Sequence, residues 1–148
     1  MLDAVLKYKS NSFVRINGDS PLLDPDLIIQ GIQIFKNGNY DLVTNVFPRS
    51  YPVGQSIEVI NTHTFEKAVL LMKKKEHLEH VTKFYYDNPN MFKIKNIQNN
   101  QDLSSYRLVV DTEHDYKQMK NIINNMSKPF YEYGYEELIT LSTKNKKT

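Results

Sequence analysis

Two aspartates stand where a short apolar segment gives out. Asp19 closes Phe13-Val14-Arg15-Ile16-Asn17-Gly18-Asp19, and Asp111 closes Arg107-Leu108-Val109-Val110-Asp111. Each β-branched run reads as a strand, and each acid then falls at a strand's C-terminal end. Gly18 permits a sharp exit just before Asp19. In an open α/β sheet the carboxyl ends of the strands form the ligand-binding edge. Two carboxylates brought together there supply the hard oxygen donors a divalent cation takes, and such a cation grips phosphate oxygens in turn. The competing reading is structural: an aspartate after a strand often caps the next helix, and Asp111 with Thr112 is well placed for that.

Other side chains carry weaker signals. Glu58 sits in the run Ile57-Glu58-Val59-Ile60 beside a glycine loop. It could face a cleft and orient a sugar hydroxyl or a metal-bound water, or simply face solvent. His80, in Glu79-His80-Val81-Thr82, could donate to a phosphate or an acidic group; a helix-surface or hydrogen-bonded core histidine is the alternative. His77 lies three residues before it, but the sequence offers no third ligand, which argues against zinc. Arg107 pairs with Asp111 only if the backbone bends; otherwise it anchors an acidic partner elsewhere. Thr112, Glu113 and Asp115 suit the positive end of a helix. The aromatic segment Phe130-Tyr131-Glu132-Tyr133-Gly134-Tyr135 could stack on a base or form a subunit contact, and packing of a C-terminal segment is the simpler account. A serine nucleophile elbow, a phosphate loop of the GxxxxGK type and a zincin helix are all missing from the sequence.

The elements that must position these residues alternate between helix and strand. The last turns of a helix cover residues 2–9, and 12–17 form the first strand. Asp24 then caps a helix whose first residue, Pro25, loses nothing through its missing N–H. Leu27, Ile28, Ile32 and Phe35 recur at helical spacing before Asn37-Gly38-Asn39 ends the run. Residues 41–46 and 57–60 read as strands flanking a loop with Pro52 and Gly54. Asn61 or Thr62 caps a helix to about Lys75, and a second helix runs from His77 to Tyr86. Residues 92–97 alternate as a half-exposed strand, and 107–111 read as another. Thr112 caps a helix bearing Tyr116, Met119, Ile122, Ile123 and Met126, and a last helix covers 134–142. This order is α/β without internal duplication.

Bulk composition limits what such a chain can be. At 148 residues and 17.4 kDa it suits one domain with a real core. Ten tyrosines and seven phenylalanines argue against disorder. No apolar run nears the roughly 20 residues that span a bilayer, and the acidic first turn does not resemble a secretory signal. The absence of cysteine excludes disulfides and thiolate chemistry and fits a cytoplasmic protein. The net charge is only +2, partly from Lys144, Lys146 and Lys147 in the polar Asn/Lys tail. Arg15, Arg49 and Arg107 are the only arginines. Scattered lysines do not make the concentrated basic face of a nucleic-acid binder.

Four blocks taken together resemble the spore-coat polysaccharide cytidylyltransferase family, which is similar to acylneuraminate and ketodeoxyoctonate cytidylyltransferases. They are Gly18-Asp19-Ser20-Pro21-Leu22-Leu23-Asp24-Pro25, Tyr51-Pro52-Val53-Gly54-Gln55-Ser56-Ile57-Glu58-Val59, Glu79-His80-Val81-Thr82 and Arg107-Leu108-Val109-Val110-Asp111-Thr112. The resemblance implies a doubly wound, Rossmann-like nucleotide-diphospho-sugar transferase fold. The implied reaction joins CTP and an acidic or modified sugar into a CMP-sugar for surface polysaccharide biosynthesis, releasing pyrophosphate. On the same resemblance Asp19 and Asp111 are the catalytic, Mg²⁺-binding aspartates, while Glu58 and His80 line the sugar side.

The departures from the family pattern set a further expectation. Relatives open with a strand and a Gly/Ser-Arg-Leu-Pro-Gly-Lys-like loop that this sequence lacks. Ser56 replaces a customary aspartate, Leu78 a common arginine and Ser20 a cysteine. The chain therefore reads as a C-terminal portion lacking the N-terminal nucleotide-binding segment: one cytidylyltransferase-like domain over residues 1–148, N-terminally truncated, with an incomplete sheet. The Phe13–Asn17 strand should then present a bare apolar edge, which a homodimer or a complementing N-terminal chain would cover. The isolated chain is expected to be inactive. The alternatives are a non-catalytic remnant or interaction domain, and another nucleotide-sugar transferase using the same acidic site.

Overall fold

A computed structural model describes residues 1–144; Lys146 and Lys147 of the polar tail lie outside the described residues. The elements run α1 (Leu2–Lys7), β1 (Ser12–Arg15), α2 (Pro25–Asn37), β2 (Leu42–Thr44), β3 (Glu58–Asn61), α3 (Thr62–Leu71), α4 (Lys75–Glu79), α5 (Lys83–Asp87), β4 (Ile94–Asn96), α6 (Glu113–Asn124) and α7 (Tyr135–Thr143). Their helix starts follow from side-chain chemistry. Asp24 accepts from the Asp26 amide at 2.8 Å above Pro25, Asn61 accepts from the Thr64 amide at 3.1 Å, and Thr112 and Asp115 close a reciprocal capping box on α6.

The sheet order is β1-β3-β2-β4, with β3 antiparallel to both neighbours and β2 parallel to β4. Strands β1, β2 and β4 therefore point the same way, and their carboxyl ends share one edge. The pairing aligns Arg15, Glu58, Thr44 and Asn96 in a single row across all four strands at that edge.

Period-two alternation sends the side chains of each strand to two cores. Phe13, Leu42, Ile60 and Ile94 meet Phe65, Ala68, Phe84 and Tyr85 from α3 and α5. Val14, Val43 and Val59 meet Leu27, Ile28 and Phe35 from α2 on the other face. Gly31 permits that second contact, because a Cβ there would come 2.6 Å from the Ile57 side chain. A third cluster joins α6 and α7 through Met119, Ile122, Leu138 and Leu141 over Leu108 and Leu22.

The expectation of an incomplete doubly wound sheet with a bare apolar edge is corrected. β1 is an edge strand, yet its apolar side chains are taken up within this chain. Phe13 packs edge-on against Phe65 with ring centroids 5.2 Å apart, and Val14 joins the α2 core. Helices cover both faces of the sheet. None of the described helices is long and apolar enough to cross a membrane.

Two local readings also change. The helix expected over His77–Tyr86 divides into α4 and α5, with His80 capping α4 in a non-helical conformation. Residues 107–111 form no ladder strand: Arg107 makes an isolated bridge to Val53, and the chain bends at Asp111. Their hydrogen bonds go to loops instead: Leu108 donates to the Val53 carbonyl at 2.7 Å, and Val110 to that of Asp19 at 2.8 Å. Gly54 makes the first contact possible, with φ at +95° and the Leu108 carbonyl where a Cβ would stand.

Candidate active site

Asp19 and Asp111 reach one edge through the backbone rather than through a shared sheet. The turn after β1 places Asp19 in solvent, and the Ser20 hydroxyl donates to its carboxylate at 2.9 Å. The Val110–Asp19 main-chain bond lays the residue before Asp111 directly beside that turn. Asp111 is likewise exposed, so two hard oxygen donors stand on neighbouring loops. Their chemistry fits a divalent cation.

The Asp19 turn is held from beneath by a buried amide network. Gln55 is fully buried; its side chain donates to the Leu22 carbonyl and accepts from the Asp24 amide, each at 2.9 Å. Asn45, also fully buried, donates to the Gln55 carbonyl at 2.7 Å and accepts from the Ile57 amide at 3.0 Å. Each of these polar groups is satisfied, so the network fixes the 51–57 loop against the 19–24 turn. Asp24 extends the frame by accepting from the Tyr135 amide at 3.0 Å, which ties α2 to the start of α7.

On the Asp111 side, Arg107 acts as a clamp. Its guanidinium contacts the Asp111 carboxylate at 2.8 Å and takes Asp115 through Nε at 3.1 Å and Nη2 at 3.0 Å. Asp115, buried at the first turn of α6, also accepts from the Asp111 and Thr112 amides. These bonds hold the Asp115 carboxyl well below the usual carboxylate range, with Arg107 the largest cause, and raise the Arg107 pKa in turn. The backbone does bend as an Arg107–Asp111 pair requires. That pair is half exposed, so it is worth roughly 0–1 kcal/mol and does not prevent Asp111 from turning to a cation.

Glu58 is buried rather than solvent-facing. Arg15 Nη1 lies 2.6 Å from one carboxylate oxygen, and the Tyr86 hydroxyl donates to the other at 2.6 Å. Thr44 Oγ1 lies 3.0 Å from the same hydroxyl, and Phe47 stacks on the Tyr86 ring at 4.9 Å. Burial, followed by the Glu58 charge, pushes the Tyr86 pKa upward, so this hydroxyl stays a donor. Glu58 faces a cavity of about 80 Å³ lined also by Arg15, Asn17, Val46, Arg49 and Ser56. Asn17 belongs to the turn that carries Asp19, which joins the cavity to the aspartate edge. Four larger hollows, of about 270 to 570 Å³, are lined by none of Asp19, Glu58, His80 and Asp111.

His80 is not brought to this group. It is exposed at the end of α4, and its described hydrogen bonds are main-chain ones to Glu76 and Lys83. His77, three residues earlier, is buried with Nε2 2.8 Å from Asp87, whose carboxylate Lys83 also holds at 3.1 Å. Glu76, His77 and Asp87 place ligand atoms within 4.8 Å of one another and could hold a metal ion. That cluster includes neither Asp19 nor Asp111.

Arg15, Tyr86, Asn45 and Gln55 escape sequence reasoning, because their roles come from long-range pairing. Asp115 reads in sequence only as an acid suited to the positive end of a helix, and its clamp by Arg107 is not visible there.

Comparison with known proteins gives consistent matches. Residues 1–145 match the family described as Cytidylyltransferase. The chain is 35% identical over 112 residues to Uncharacterized protein MJ1063 of Methanocaldococcus jannaschii, covering 74% of this chain and 45% of that protein. It is 27% identical over 143 residues to Spore coat polysaccharide biosynthesis protein SpsF of Bacillus subtilis, covering 93% and 57%. A solved cytidylyltransferase structure from Leptospira borgpetersenii superposes with a TM-score of 0.89 at 30% identity, over 98% of this chain and 61% of that one. These matches correct the reading of the chain as a truncated C-terminal portion that lacks a nucleotide-binding segment. The family match takes in residues 1–145, and the structural match covers 98% of this chain. The chain spans about half to three-fifths of the length of these relatives.

Proposed function

Because the chain belongs to the cytidylyltransferase family, we propose that it transfers CMP from CTP to an acidic or modified sugar destined for a surface polysaccharide. The reading takes residues 1–148 as one cytidylyltransferase-like domain. Asp19 and Asp111 bind Mg²⁺ with the CTP phosphates, and Glu58 belongs to the sugar side. The observation that carries this is the Val110–Asp19 hydrogen bond, which sets two exposed carboxylate-bearing turns side by side at the carboxyl edge of the sheet. The relation to a spore-coat polysaccharide protein supports the pathway class.

In this mechanism a sugar hydroxyl attacks the α-phosphorus in line. The new oxygen–phosphorus bond forms as the bond from the α-phosphorus to the bridging oxygen breaks, pyrophosphate departs, and the hydroxyl proton passes to solvent. Mg²⁺, when bound, neutralises charge on the phosphate oxygens. The work of the chain is positioning. Arg107 and Asp115 fix the Asp111 turn, and Gln55 and Asn45 fix the Asp19 turn. Glu58, with both oxygens already accepting short bonds, orients groups at the cavity rather than removing protons. His80 stands apart from these residues and serves, on this reading, at the rim of the sugar side.

The test is magnesium-dependent pyrophosphate release from CTP with a panel of acidic and neutral sugars. The proposal expects release with an acidic sugar and its loss in Asp19→Ala. Release that is equal in Asp19→Ala and the parent chain would overturn it.

A further inference from the structure

The spacing of His77 and His80 offers no third metal ligand, but the fold gives His77 two other partners. The break between α4 and α5 brings Asp87 to the His77 ring, with Nε2 2.8 Å from the nearer carboxylate oxygen. Glu76 precedes His77 on α4, and one ligand atom from each of the three lies within 4.8 Å of the other two.

The three side chains differ in how firmly they are held. His77 is only 4% exposed, and its ring meets Phe84 edge-on with centroids 5.2 Å apart. Glu76 and Asp87 are exposed, so their carboxylates are free to adjust. A fixed imidazole between two adjustable carboxylates closes round one ion through small side-chain movements. A hollow of about 270 Å³ lined by His77 and Asp87 leaves room for water at a further coordination position.

Charge sets the class of ion. Glu76 lies 3.9 Å from the Lys74 ammonium and Asp87 3.1 Å from that of Lys83, and all four side chains are a third or more exposed. Such pairs are screened by water and yield to direct metal bonds. Lys73 and Lys74, which also line the hollow, oppose a cation through side chains that are themselves exposed. Once the lysines swing outward, the two carboxylates balance a divalent ion. One imidazole nitrogen and two carboxylate oxygens, with a water completing the tetrahedron, form a donor set that zinc takes. Magnesium prefers an octahedron of oxygens.

We propose that Glu76, His77 and Asp87 form a zinc site that staples α4 to α5 across the break beside His80. The site shares no residue with the Asp19–Asp111 edge and does not depend on the transferase reading.

The experiment is a zinc titration of the full chain, first dialysed against a chelator, in competition with a chromophoric zinc chelator. One equivalent should bind, raise the thermal midpoint and persist in equimolar Mg²⁺. Losing a ligand costs at least what losing an outer-shell partner does, so Glu76→Gln and Asp87→Asn should each weaken zinc about tenfold or more. His77→Gln should abolish binding; if it fails to fold by circular dichroism, the two variants at exposed positions decide. Asp19→Asn should bind zinc as the parent does. Cobalt(II) bound in place of zinc should show the intense visible absorption of a tetrahedral site. Absence of zinc binding, or displacement by equimolar Mg²⁺, overturns the site. So does parental affinity in the Glu76→Gln/Asp87→Asn double variant, which would move the ion to His63, His80 or His114. The titration contains no CTP, so a failed transferase assay leaves its outcome standing.

Discussion

The main-chain carbonyl of Asp19 accepts a hydrogen bond from the Val110 amide at 2.8 Å. That single contact joins two stretches far apart in the chain and sets Asp111 one residue from the Asp19 turn. It also explains why residues 107–111 form no sheet strand: their backbone donors are spent on the turn after β1 and on the 51–55 loop. Each carboxylate thereby gains a position fixed by backbone while its side chain stays exposed.

Asp111 should be dispensable for folding. Its pairing with Arg107 is half exposed, and surface pairs of this kind contribute roughly 0–1 kcal/mol. Asp111→Asn is expected to change unfolding free energy by less than about 1 kcal/mol, read from urea denaturation followed by circular dichroism. A larger loss would make Asp111 a structural residue.

Gln55 should behave in the opposite way. It is fully buried and satisfies the Leu22 carbonyl and the Asp24 amide. Gln55→Leu removes both partners at similar volume and leaves two buried polar groups unpaired, a cost of roughly 2–4 kcal/mol. Urea midpoints should show that loss. Amide exchange over residues 19–24 should quicken, since this side chain pins the turn.

Asp115 gives the fold an acid-sensitive component. Its carboxyl is held below the usual range by Arg107 first and by Thr112 and the Asp111 amide after it. A depressed native pKa contributes stability that is fully present above the unfolded value of about 4, and that is lost as pH falls through the native pKa. The stability gap between the parent chain and Asp115→Asn should therefore be widest near neutral pH and narrow below about pH 4. A gap that does not change between pH 7 and pH 3 would contradict the assignment.

The parts of this protein legible in sequence are those written in local chemistry. Asp24-Pro25 and Thr112 with Asp115 announced α2 and α6, and the structure starts both helices there. The β-branched run around Phe13-Val14 marked β1 as a strand. What stayed hidden depended on pairing at a distance. The row Arg15–Glu58–Thr44–Asn96 exists only once β3 runs antiparallel between β1 and β2. Glu58 read equally as cleft or solvent residue because Arg15 and Tyr86 reach it from other elements. The supposed bare edge arose from taking Phe13 and Val14 as awaiting absent strands, whereas α3 and α2 already cover them. His80 stands exposed at the end of α4, away from Glu58, where the break between α4 and α5 falls, and its local sequence did not show that break.

The paired role of Asp19 and Asp111 is tested most directly by calorimetric titration of CTP into the full chain, with and without Mg²⁺, for the parent, Asp19→Asn, Asp111→Asn and the double variant. The account predicts magnesium-dependent binding in the parent and a loss of about tenfold or more in each single variant. The double variant should be little worse than either, because the two side chains act on one ion. Magnesium-independent binding, or single variants that bind CTP as the parent does, would contradict it.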